Sequence, residues 1–269
     1  LSRHTLNYNG IDLSTFGAYV SGENAWIKPA PEFETVNVPG RSGDVLLYNG
    51  RYSNISIPYT MGIISNFDSN YNGLIATLLS EPGYHKLVDS SHPGVSRMAA
   101  VDSVIEPEMT RANKRGQFVV TFNCKPQVHL DSGDTQIQVI QNSSWYVDGK
   151  IVYIDNPTGF AAWPVIIIEG YGDLRLSVRK PTAGGTTAYY TMRIKVLQHT
   201  GTIYFDTETG NAEDGSGNNM NQYIELMYQG NIVSKLYPIY GNSTITAYTG
   251  TIVPSTITNV WIIPRFWRL

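Results

Sequence analysis

Alternation of apolar and polar residues with a period of two is the feature that most limits what this chain can become. Ile55, Ile57, Tyr59 and Met61 alternate with Asn54, Ser56, Pro58 and Thr60. Leu174, Leu176 and Val178 alternate with Arg175, Ser177 and Arg179, and Tyr190, Met192, Ile194 and Val196 with Thr191, Arg193 and Lys195. Successive side chains on a strand point to opposite faces, so each run predicts a strand with one buried face. Phe118, Val120, Phe122 and Cys124 repeat the pattern. That places the only cysteine in a core, and a single cysteine excludes an internal disulfide. Pro58 cannot donate to a ladder and demotes its strand to an edge or a bulge. Trp163 to Ile168 is a continuous apolar run, expected of a buried strand.

One segment has a different period. Leu74, Ile75, Leu78 and Leu79 recur at helical spacing, which predicts a short helix over Tyr71 to Leu79. Asp68, Ser69 or Asn70 offers its cap, and Pro82-Gly83 stops it. A boundary is expected from Pro126 to Asp134, where the Phe118–Cys124 strand ends and Asp131-Ser132-Gly133-Asp134 supplies turn chemistry. Ala183-Gly184-Gly185-Thr186 and Asp214-Gly215-Ser216-Gly217 mark hairpin turns. The expected architecture is mainly β in two domains. Residues 1–130 form a β-domain carrying one short helix, and residues 131–269 form a two-sheet sandwich.

Charged residues make up 15% of the chain, against about 25% in ordinary soluble proteins. A surface so poor in charge is expected to be covered in part by partners. The net charge of −3 argues against general nucleic-acid binding, which rests on Lys and Arg neutralising phosphates. The one basic cluster, Arg111, Lys114 and Arg115 beside Gly116, reads as a solvated turn. The start of the sequence lacks signal-peptide features, and no apolar run is long enough to span a bilayer. Synthesis in a cytoplasm and no membrane partner are the expectations.

Catalytic wording is missing. There is no Gly-x-Ser-x-Gly elbow, His-Glu-x-x-His or P-loop. Asp89-Ser90-Ser91-His92 has the residue types of a nucleophile site but reads as a polar loop before Pro93-Gly94. The pairs Glu106/Glu108 and Asp206/Glu208 have the spacing of carboxylates on one face of a strand, and exposed strand ends are the expected setting. Asp206, Glu208, Asn211, Glu213, Asp214 and Asn218 make an oxygen-rich loop whose spacing is not that of an EF-hand, so a solvated hairpin is expected. His4, His85, His92, His129 and His199 show no metal spacing. No catalytic residue, metal or cofactor is therefore assigned, and no enzyme activity is expected. Trp145, Trp163, Trp261 and Trp267 offer faces for sugar stacking, although large aromatics more often fill cores. The apolar end from Trp261 to Leu269 is expected to complete a sheet or dock on a neighbour, through Trp261, Pro264, Phe266 and Trp267.

Four short wordings, in order, resemble those of one family. They are Val38-Pro39-Gly40-Arg41-Ser42-Gly43-Asp44 with Leu46-Leu47 and Arg51-Tyr52, then Pro82-Gly83-Tyr84-His85-Lys86-Leu87-Val88-Asp89. Asn156-Pro157-Thr158-Gly159-Phe160-Ala161-Ala162-Trp163-Pro164 follows, and Pro264-Arg265-Phe266-Trp267 ends the series. The chain resembles the distal tail protein (Dit) family of long-tailed phages with non-contractile tails, the siphophages. The resemblance implies an amino-terminal domain forming a ring, usually a homo-hexamer, and a carboxy-terminal galectin-like β-sandwich. It implies a virion structural protein made in the host cytoplasm and placed at the distal tail tip. The ring would be a hub joining the tail tube protein to the tail-associated lysin or tip protein and the receptor-binding protein, and DNA would pass its lumen without specific binding. The hairpin Val38, Pro39, Gly40, Arg41, Ser42, Gly43, Asp44 and Leu46 is expected in the belt between subunits, with Arg41 and Asp44 bonding across it. Two other readings stay open from the residues: a carbohydrate-binding adhesin module recognising host cell-surface glycans, and a β-sandwich glycan hydrolase.

Overall fold

In a computed structural model, residues 3–21, 27–103, 105–110, 114–141, 150–181, 187–228, 231–232, 239, 243–249 and 256–269 are described. The chain is mainly β, with antiparallel strand pairs and one α-helix among the described residues. It divides into two compact units, Leu1–His129 with Leu269, and Leu130–Arg268. No described helix is long and apolar enough to cross a membrane.

The first unit is organised by a sheet whose strands run in the order Ile11–Asp12, Leu6–Tyr8, His85–Asp89, Val95–Val101, Arg115–Leu130, Ile55–Ile63, Ala18–Val20. The period of two decides its inner face. Ile55, Ile57, Tyr59, Met61 and Ile63 are buried, as are Phe118, Val120, Phe122 and Cys124 on the neighbouring strand. Burying each such large side chain contributes about 1.5–3 kcal/mol. Burial also pushes the Cys124 thiol up to about 11, against a smaller opposing pull from Arg97, so it stays protonated and inert near neutral pH.

The helix spans Phe67–Leu79 and begins four residues before the expected Tyr71. Phe67 is the reason. It is buried and stacks on Tyr71, one turn later, with ring centroids 5.2 Å apart. Asp68 thus falls inside the first turn, where its charge complements the helix dipole, and the cap position is Asn66. The Arg115–Leu130 strand also runs further than expected, through Pro126 rather than ending at Cys124. Its ladder with Ile55–Ile63 stops at Cys124 opposite Ile55, so Pro126 has no bond to break on that side. Pro58 is tolerated for a related reason. Pairing of its strand with Ala18–Val20 covers only Met61 to Ile63 among the described residues.

The second unit is a sandwich. One sheet orders Ile137–Ile140, Asn259–Ile263, Val165–Glu169, Thr202–Asp206 and Asn211–Glu213. The other orders Lys150–Ile154, Ser243–Thr249, Gly172–Pro181, Thr187–Val196, Ile224–Tyr228 and Asn231–Ile232. Ile166, Ile168, Ile203, Phe205, Val260 and Ile262 from the first sheet share one core with Leu174, Leu176, Ile194, Val196 and Leu226 from the second. Val165–Glu169 lies in the middle of its sheet, and Ile166, Ile167 and Ile168 are all buried, which explains its unbroken apolar run. Gly172–Pro181 pairs with Thr187–Val196 along ten residue pairs, while the Ala183–Thr186 turn falls outside the described residues.

Candidate assembly surface

Pro31–Val36 and Val45–Tyr52 pair only with each other among the described residues, as a two-stranded hairpin. At its tip the Arg41 N–H donates to Val38 O at 3.1 Å, closing a turn over Pro39 and Gly40. Gly40 has φ +81°, so Pro39 and Gly40 hold the two central places of a type II turn, which favours proline first and needs a positive φ second. Phe33 stands opposite Tyr48, and Thr35 opposite Leu46. These put Phe33, Leu46 and Tyr48 on one face, at 49%, 60% and 51% exposure. Phe33 and Tyr48 contact each other at 5.6 Å, and Tyr48 meets Tyr52 at 6.4 Å. Val38, Pro39, Gly40, Arg41, Ser42, Gly43 and Asp44 are all exposed. Asp44 Oδ1 accepts from Asn37 Nδ2 at 3.2 Å, while Arg41 has no ion-pair partner among the described residues. Arg51 pairs with Glu32 across the hairpin at 2.8 Å, an exposed pair of little energetic weight. A lone two-stranded hairpin is marginal in water, and large exposed apolar patches are rare on single soluble chains, so this exposed face is the candidate surface for assembly.

The apolar end of the chain is used differently. Pro264 and Phe266 are buried, and Trp261 is half-buried in the strand Asn259–Ile263. Trp267 stacks on Phe160 at 4.5 Å and donates from Nε1 to Ala161 O at 2.9 Å. The third and fourth wordings, a hundred residues apart in sequence, thus pack on each other. Asn156 holds the third in shape: its amide donates to Phe160 O and Ile239 O, and its Oδ1 accepts from Thr158 N–H. Arg265 locks the fourth. Its guanidinium donates to both Asp206 oxygens, at 3.0 and 2.7 Å, and to Trp163 O at 2.6 Å. Burial works against ionisation of Asp206, but Arg265 and the N–H groups of Glu208 and Thr209 outweigh it and hold the carboxyl below its ordinary value. A carboxyl depressed in the folded state stabilises above the unfolded value near pH ~4 and stops doing so as pH falls through the native value. Asp206→Asn is therefore expected to cost about 1–2 kcal/mol at pH 7, with the deficit closing in acid. Denaturant unfolding of both proteins at pH 7 and in acid measures it; a deficit independent of pH would contradict the ion pair.

The residues with chemical potential are occupied by structural bonds. Ser91 Oγ lies 2.6 Å from Asp89 Oδ1 and 2.9 Å from His92 Nδ1, so the adjacent Ser and His bond within the polar loop. The short bond sends the hydroxyl proton to the carboxylate, which leaves none for the imidazole to withdraw; that is opposite to nucleophile activation. Asp206 is neutralised by Arg265, and Glu106 and Glu108 are exposed. Asp214 spends its oxygens on the N–H groups of Ser216 and Asn218 and on the Asn218 amide. A carboxylate facing N–H donors is not a cation ligand, and no group of three or more potential metal ligands occurs among the described residues. Lys114 and Arg115 sit on a turn and strand start, Arg115 donating to Ile64 O; Arg111 and Trp145 lie outside the described residues.

With this geometry, comparison with solved structures is decisive for the fold. SPP1 Dit, a hub of the adsorption apparatus of phages infecting Gram-positive bacteria, superposes with a TM-score of 0.55 at 12% identity, over 92% of this chain and 99% of that one. The chain has the fold of SPP1 Dit. The resemblance read from the four wordings is thus matched by a shared fold along nearly the whole length. Two chains from the phage P2 baseplate in its activated conformation align at TM-scores of 0.49 and 0.47, with 11% and 10% identity, over 94% and 93% of this chain and 100% and 99% of theirs. No family model and no curated protein matches the sequence.

Proposed function

We infer that this chain is a structural hub of a phage tail, acting by self-assembly rather than catalysis. The observation that carries the reading is the hairpin Pro31–Tyr52, which exposes Phe33, Leu46 and Tyr48 with no further strand beside it among the described residues. In this reading the hairpin is the belt between subunits of a ring. Copies joined head to tail by one patch and its different complement close into a ring when the rotation allows. In this reading the first unit forms the homo-hexameric ring at the distal tail tip, and the second is a galectin-like sandwich. The ring joins the tail tube to the tail-associated lysin or tip protein and the receptor-binding protein, and DNA passes through it unbound.

Light scattering and negative-stain imaging of the purified full chain test this directly. Annular particles of a fixed subunit number are expected. A molecule that stays single at every concentration, and is single in its native particle, would remove the basis of the proposal.

A further inference from the structure

The helix Phe67–Leu79 carries two adjacent apolar rows. Leu74 and Leu78 are buried in the core of the first unit. Ile75 and Leu79, each one residue further on, form a second row at a spacing of four, where side chains lie one above the other. This second row is only partly covered: Ile75 is half-buried and Leu79 is 58% exposed. With Val101 and Ile105 the row lines an open groove of about 510 Å³, and Asp102 and Ser103 complete its wall. The same unit bears the hairpin whose apolar face is also uncovered.

We propose that this groove receives the hairpin of a second copy of the chain. The proposal rests on the reading of the hairpin as an intersubunit contact and supplies the surface it meets. Apolar side chains leave water only when they reach a partner of like chemistry, and the groove offers Ile75, Leu79, Val101 and Ile105 to Phe33, Leu46 and Tyr48. Charge agrees. Arg41 at the hairpin tip has no ion-pair partner among the described residues, and Asp102 is exposed on the groove wall, engaged through its side chain only by a 3.5 Å contact from Asn123 Nδ2. Hairpin and groove are different patches, so the contact is heterologous and each copy both gives and receives.

That asymmetry supplies the test, made on the full chain. Leu46→Asp disables the hairpin and Leu79→Arg blocks the groove; both residues are exposed, so both variants should keep the parent melting temperature. Each alone is expected to lose rings. Mixed in equal amounts they should form a dimer and nothing larger, because the intact hairpin of one enters the intact groove of the other. If Leu79→Arg still forms rings while Leu46→Asp does not, the groove assignment is overturned and the hairpin reading survives. Rings from Leu46→Asp would overturn both. Two single variants that never pair on mixing would also overturn the groove. Charge reversal gives a second readout that leaves the apolar contact intact: Asp102→Arg and Arg41→Asp should each weaken self-association about tenfold, and the double variant should regain most of it. No recovery in the double variant would remove the Arg41–Asp102 pairing.

Discussion

Gly170→Ala is expected to destabilise the second unit by more than about 3 kcal/mol. Gly170 has φ +93°, a region that side chains rarely enter. An added Cβ would also sit 2.2 Å from Thr256 O and 2.9 Å from Ile257 Cα. Those atoms are backbone and cannot swing aside. They are also fixed, since the Thr256 N–H donates to Tyr171 O at 2.8 Å and the Thr258 N–H to Glu169 O at 3.0 Å. Relief requires the Val165–Glu169 strand to part from the segment entering Asn259–Ile263, and those two strands pair along five residues at the centre of the sheet. Denaturant unfolding followed by tryptophan fluorescence reports on this unit through Trp163, Trp261 and Trp267. A midpoint equal to that of the parent would show that the close approach at Gly170 does not constrain the fold.

Leu46→Asp is expected to weaken self-association at least a hundredfold while leaving the melting temperature nearly unchanged. Leu46 is 60% exposed and faces Thr35 across the hairpin, so a carboxylate there stays in water in the single chain. In a contact that buries the hairpin face the same carboxylate must lose water without a partner, which costs several kcal/mol. Sedimentation or light scattering across a concentration series separates the two effects. Unaltered assembly would mean that this face is not the contact. A fall in melting temperature equal to the loss of assembly would mean that Leu46 belongs to the core of its own chain.

Parts of this molecule are readable without coordinates because local rules act on them alone. Ile55 to Ile63 and Phe118 to Cys124 alternate strictly, and burial follows the alternation. Pro39-Gly40 is a turn by the φ values that each residue prefers. Other parts differ from what local rules predict, because a distant neighbour decides them. The helix starts at Phe67 rather than at the expected Tyr71, because the contact between these two rings matters only once the helix lies on Phe118, 5.3 Å from the Tyr71 ring. The strand continues through Pro126 because its neighbour's ladder ends at Cys124, which nothing in the sequence around Pro126 states. Ser91 and His92 bond because the Asp89 turn folds them together, which residue types do not dictate.

The same division holds for the candidate assembly surface. Composition alone established a charge-poor, strand-rich chain with one cysteine and no recognisable catalytic wording, since periodicity and residue chemistry are properties of neighbours along the chain. Only the tertiary structure decided that the Pro31–Tyr52 hairpin has no further strand beside it among the described residues, that Trp267 is spent on Phe160, and that Ile75 and Leu79 open on a groove. Whether an apolar side chain is covered depends on which remote segments reach it, and that is settled by packing in three dimensions.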